Sequence, residues 1–157
     1  MTNDPDARLK SARRFIEALP HCQALNMVLD HVDDGEAVMS MPYDEKLVGD
    51  PATGVIHGGA VSTLMDTCGG TAVMAHSAGP ATTATLNLRI DYMRAAKPGE
   101  TIIAQGHCYN ATRHVAFVRG IAHDGNENDP IATAQATFMA TGPRMSREAL
   151  LNAKEQS

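Results

Sequence analysis

The sequence predicts an α+β domain in which one long helix lies against a single curled antiparallel sheet of five to six strands. Three observations predict it. Residues 57–76 are apolar or small nearly all the way round, with Asp66 the one charged side chain, so the segment reads as a buried helix. Residues 85–92 alternate polar and apolar side chains without a break, as a strand with one buried face does. Short polar or Gly/Pro turns then separate three further strand-like runs, so the connections are hairpin-like and the sheet is antiparallel.

Taken in order, the first six residues read as frayed. Asp6 can cap a short amphipathic helix over residues 7–19, with Leu9, Ala12, Phe15, Ile16 and Leu19 on one face, and Pro20 ends it. Residues 22–32 and 36–41 read as two strands joined at Asp33-Asp34-Gly35, since Asp-Gly between apolar runs is a strong hairpin signal. Pro42 closes the pair. A loop over residues 43–56 carries Gly49-Asp50-Pro51 and Gly54; its length and its place before the helix make it an edge of a binding site. The long helix runs over residues 58–77, and Gly79-Pro80 ends it. After the strand 85–92, Lys97-Pro98-Gly99-Glu100 turns the chain into strands at 101–109, 114–123 and 131–141. Ala132, Ala134 and Ala136 give the last strand a flat face on which a helix can lie close. Gly142-Pro143 ends the domain. The chain divides into an N-terminal helix (1–20), the main domain (21–143) and a tail (144–157), with no internal repeat.

A length of 157 residues suits one domain with a sizeable core. The net charge of −5, the scattered basic residues and the absence of Trp argue against nucleic acid as the main partner. Cys22, Cys68 and Cys108 are three in number and widely spaced, so they read as reduced thiols of a cytoplasmic protein, without a disulfide framework or a zinc site. The acidic N-terminus has no apolar stretch behind it, and no run is long enough to span a membrane. No metal site is expected, because His57, His76, His107, His114 and His123 share no ligand spacing, and no cofactor is expected.

The helix start is chemically distinctive. Its first backbone N–H groups lack helical partners, and its dipole favours negative charge. Gly58 and Gly59 carry no Cβ, so another molecule can approach that backbone closely. Together these describe an oxyanion site, or simply a tight loop-to-helix turn. Asp66 lies seven residues after Gly59, on about the same face but roughly 10 Å along the axis. One helix cannot bring both to a single carbonyl, whereas two copies packed antiparallel can. Burial among Val61, Leu64 and Met65 would favour the neutral acid and make Asp66 more basic.

The run His57-Gly58-Gly59, with Asp66 nine residues after the histidine and the strand from Leu86 to Tyr92, resembles the hotdog-fold thioesterases, and within them the PaaI-type branch. The resemblance covers residues 25–141. It implies hydrolysis of acyl-coenzyme A thioesters, with sites at the interface of a homodimer that often pairs again as a dimer of dimers. It also assigns roles. Gly59 matches the position whose N–H polarises the thioester carbonyl. Asp66 matches the carboxylate that activates water or attacks directly. Thr85 sits where some members hold the water with a hydroxyl, and His57 matches the motif histidine that shapes the loop.

Related sequences commonly have Asn where this chain has Asp50, and an ionised Asp cannot donate a hydrogen bond to a carbonyl. Three outcomes remain open there: a protonated Asp50, replacement of its role by His57 or water, or low activity. Coenzyme A phosphates need cationic partners, and Arg89, Arg94, Lys97 and Arg113 flank strand ends. A non-catalytic acyl-coenzyme A binder on the same fold, and a hydratase, are the rival readings. No His–acid motif beyond the HGG run supports the hydratase.

Overall fold

The structure, a computed structural model, describes residues 5–80 and 82–141. It opens with α1 (Pro5–Glu17), which packs along the edge of the sheet. Ile16 is buried and Leu9, Ala12 and Leu19 pack against the core. Phe15, expected on the same face, is 53% exposed.

Residues 22–27 are not strand. Pro20 begins a short helix α2 (Pro20–Ala24), in the first turn where its missing N–H is no loss. Asn26, at φ 52°, then turns the chain into β1 (Val28–Asp33). The predicted hairpin follows: Gly35 takes φ 73° between β1 and β2 (Glu36–Met41). Arg13 of α1 donates to the Leu29 carbonyl from Nε (2.9 Å) and Nη2 (2.8 Å), at a bulge between Leu29 and His31.

The expected loop has structure of its own. After a 3-10 turn (Glu45–Leu47), β3 (Val48–Asp50) and β4 (Val55–Ile56) pair as a small antiparallel ribbon. The long helix α3 spans Gly58–Ala75. It stops short of Ser77 because His76 leaves helical geometry and the Ser77 N–H is held by Asp34 Oδ1 at 2.5 Å.

The remaining strands are β5 (Thr82–Tyr92), β6 (Ile102–Ala111), β7 (Val115–His123) and β8 (Ala132–Thr141). Six strands form one antiparallel sheet in the order β1-β2-β6-β7-β8-β5. The hairpins β6–β7 and β7–β8 are as predicted. The connection from β5 to β6 is not a hairpin: β5 pairs with β8, and β6 with β2.

A clamp fixes this crossover. Arg94 Nη1 and Nη2 reach the two carboxylate oxygens of Asp124 at 2.9 and 2.7 Å, and its Nε lies 3.1 Å from Asp129 Oδ2. The Lys97 N–H donates to Asp124 Oδ2 at 2.8 Å. Hydrogen bonds from Arg94 hold the Asp124 carboxyl well below the usual carboxylate range.

α3 packs on β2, β6 and β7, burying Val61, Leu64, Met65, Cys68, Ala72 and Val73. Of the three alanines expected to form a flat face on β8, Ala132 and Ala136 are buried and Ala134 is half-buried, and the buried Phe138 ring lies close against Gly69 of α3. Burial pushes the Cys68 thiol up to about 12, so it stays protonated. Contrary to the sequence reading, α3 is not apolar on every side. Ser62, Thr63, Asp66 and Thr67 form a half-buried stripe. Among the described residues, no helix is long and apolar enough to cross a membrane.

The two sheet edges differ. β1 lies under α1, whereas among the described residues no strand lies beyond β5. Along β5 a bulge between Thr85 and Asn87 interrupts the predicted alternation. It leaves Leu86 53% exposed instead of buried.

Candidate active site

The start of α3 is held by its own side chains. His57 is the N-cap: its Nδ1 accepts the Gly59 N–H at 2.8 Å. An imidazole nitrogen that accepts carries no proton, so the other ring nitrogen, Nε2, bears it in the neutral ring. The missing Cβ of Gly59 makes room for that ring, since a Cβ there would stand 2.9 Å from Nδ1. The ribbon supports the ring from the other side. The His57 N–H donates to the Leu47 carbonyl at 2.8 Å, and a Cβ on Gly49 would lie 2.8 Å from His57 Cα.

Gly58 is covered as well. The Tyr92 ring lies 3.5 Å from where a Gly58 Cβ would be, and its hydroxyl donates to the Gly58 carbonyl at 2.5 Å. Ser62 Oγ donates to the same carbonyl at 3.1 Å and lies 2.7 Å from the Tyr92 hydroxyl. The two glycines therefore admit the chain's own rings, where the sequence suggested approach by another molecule. The sequence reading gave neither Tyr92 nor Ser62 a role. The spacing of Ser62, four residues after Gly58, is the one local signal that could have found a member of this cluster.

Asp66 and Thr85, paired only by resemblance in the sequence, meet in the structure: Thr85 Oγ1 donates to Asp66 Oδ1 at 2.8 Å. The β5 bulge is what turns Thr85, rather than Leu86, toward the helix. Val61, Leu64 and Met65 lie on the buried face, while Asp66 is half-buried on the polar stripe. The apolar enclosure expected around Asp66 is therefore absent within one chain. Nor does one chain bring Gly59 and Asp66 to a common point, since α3 runs unbroken between them.

Asp50 builds the ribbon turn. Its carboxylate accepts from the Ala52 N–H at 3.0 Å and from Thr53 Oγ1 at 2.7 Å, while its carbonyl accepts from the Gly54 N–H at 2.8 Å. The Thr53 and Ala52 donors lower its pKa and keep it ionised. That disfavours the protonated Asp50 that the sequence left open.

The basic candidates also separate. Arg94 spends both terminal nitrogens on Asp124 and on the Asp129 carbonyl. Arg89 pairs with Asp91 at 3.1 Å and, with Arg119 and His107, lines a groove of about 630 Å³ on the sheet face away from α3. Arg113 is exposed in the β6–β7 connection. Among the described residues, no three His, Cys, Asp or Glu side chains cluster as metal ligands.

Comparison with known proteins agrees with this architecture. The family profile of the thioesterase superfamily matches residues 53–131, half of the chain. A Halobacterium salinarum protein, VNG_1336C, is 40% identical over 76 residues, a match that spans 46% of this chain and only 50% of that protein. The medium/long-chain acyl-CoA thioesterase YigI of Escherichia coli is 28% identical across 80% of this chain and 88% of its own. A Pseudomonas aeruginosa crystal structure is 38% identical, with TM-score 0.75, over 85% of this chain and 98% of that one. The E. coli PaaI structure, from the phenylacetic acid degradation operon, matches at TM-score 0.76 over 89% of this chain and 97% of its own; at 17% identity the likeness is one of fold alone.

Proposed function

The chain belongs to the thioesterase superfamily, and on that premise we propose that it hydrolyses acyl-coenzyme A thioesters to the free acid and coenzyme A. The observation that carries the proposal is the Asp66–Thr85 pair, a carboxylate oriented by a hydroxyl on the helix-facing side of an open edge strand. Two copies joined along β5 would bring the α3 start of one subunit toward Asp66 of the other. The long β5 edge, beyond which no strand lies among the described residues, and the exposed Leu86 support such a homodimer, which can pair again as a dimer of dimers.

In this site Asp66 takes a proton from water as the oxygen attacks the thioester carbonyl. The C–S bond of the tetrahedral intermediate then breaks, and the departing thiolate of coenzyme A takes the proton from Asp66. Charge on the carbonyl oxygen is met by the helix start, where one donor is typically worth about 3 kcal/mol. The Gly59 N–H is engaged by His57 in this structure, so it serves only if the ring yields it. The neighbouring Gly58 N–H makes no hydrogen bond among the described residues and is the donor that stands ready. Arg89 and Arg113 remain the candidates for the coenzyme A phosphates.

The rival, a non-catalytic binder of acyl-coenzyme A, draws support from Asp50, which supplies no donor to a carbonyl. Thiol release from short, medium, long and aryl acyl-coenzyme A thioesters separates the two. We expect turnover of at least one acyl group and a loss of about 10²-fold or more in Asp66→Ala. Tight binding with no turnover across the panel would establish the binder instead.

A further inference from the structure

Resting on the thioesterase reading, we propose that Tyr92 is a positioning residue: it sets the α3 start of one subunit against Asp66 of the partner through their shared strand β5. Tyr92 is the last residue of β5, and its hydroxyl reaches the first carbonyl of α3, at Gly58. Ser62 closes a three-membered hydrogen-bond cluster on that carbonyl. The Tyr92 ring is 48% exposed, so apolar burial contributes little and the hydroxyl contacts are what the residue adds.

Asp66 is tied to the same strand through Thr85. Both parts of the reacting site, the carbonyl-polarising turn and the carboxylate, are thus keyed to β5, one at each tether. When β5 pairs with its symmetry mate, strand register fixes the turn of one subunit relative to the carboxylate of the other. Loss of the Tyr92 tether lets the turn drift while every group that touches substrate is retained. A drift of about 1 Å can cost on the order of 10²-fold in rate.

Tyr92→Phe keeps the ring and removes only the hydroxyl. We expect kcat to fall about 10- to 100-fold with KM within about twofold. The melting temperature should fall by no more than about 4 °C, the share of one hydrogen bond. A purely structural role would lower stability and leave this split between kcat and KM unseen. Wild-type turnover with an unchanged Tyr92→Phe overturns the role of Tyr92, whereas absence of wild-type turnover overturns the thioesterase reading.

Mixed dimers test the cross-subunit element. Tyr92→Phe and Asp66→Ala subunits carrying different affinity tags are co-expressed, and the doubly tagged species is purified. One of its two sites joins the intact turn of the Asp66→Ala subunit to the intact Asp66 of the Tyr92→Phe subunit. Recovery of about half the wild-type turnover per dimer is expected. Turnover no higher than the two parent variants, or failure of mixed dimers to form, overturns the proposal.

Discussion

Replacing Asp124 with Asn should release the β5–β6 crossover from the β7–β8 loop. Asp124 accepts two guanidinium N–H groups at 2.9 and 2.7 Å and the Lys97 N–H at 2.8 Å, with its side chain wholly out of solvent. Asn keeps one acceptor oxygen but turns an N–H₂ group toward a donor. Breaking a fully buried ion pair costs about 3–5 kcal/mol. Arg94 is 23% exposed and keeps Asp129 at 3.1 Å, which offsets part of that loss. The expected destabilisation is roughly 2–3 kcal/mol, or a fall in melting temperature of about 4–12 °C.

The pH dependence gives a second reading of the same variant. The folded-state pKa of Asp124 lies below that of the unfolded chain. Its stabilisation is therefore complete above the unfolded value, about 3.9, and is lost as pH falls toward the folded one. The gap between wild type and Asp124→Asn should be constant between about pH 5 and pH 8 and narrow below about pH 4. Unfolding followed by circular dichroism at several pH values measures it. A gap under about 0.5 kcal/mol at neutral pH, or one that widens on acidification, would refute the reasoning.

Two further substitutions probe the supports of the site. Gly49→Ala would place a Cβ 2.8 Å from His57 Cα, where backbone must move; turnover should fall by about tenfold or more while overall stability drops by about 1–3 kcal/mol, read by steady-state kinetics beside urea unfolding. Arg13→Ala removes both donors to the Leu29 carbonyl and should cost about 1–2 kcal/mol, visible as a lower urea midpoint, with an unchanged midpoint counting against the contact.

Much of the fold was legible because its signals are local. Asp33-Asp34-Gly35 announces a hairpin, the Thr85–Tyr92 alternation announces a strand, and the apolar run after His57 announces the long helix. What stayed hidden depends on partners distant in sequence. Pro20 reads equally as the end of one helix or the first turn of another, and the structure uses it as the second. The β5 bulge has no Gly or Pro to mark it, yet it decides that Thr85 faces Asp66. The crossover after β5 looks like a hairpin turn in sequence, because Gly99 does form a turn; only Arg94 and Asp124, 30 residues apart, show where the chain goes. The reason for the paired glycines was also out of reach, since the rings that fill their space come from His57 next door and from Tyr92 at the far end of a strand.

The contact between Arg13 and the bulge of β1 bears on how large an assembly this chain can make. Sheets grow by adding strands to free edges, and a subunit with two such edges is a bifunctional monomer that polymerises without limit. With α1 laid along β1 and a guanidinium seated on its kinked backbone, one edge is withdrawn from that reaction. Among the described residues, the six-stranded sheet then keeps one edge open to another strand, that of β5. In the proposed dimer, pairing along β5 would use the other edge of the six-stranded sheet, and growth of that sheet would terminate at the second chain.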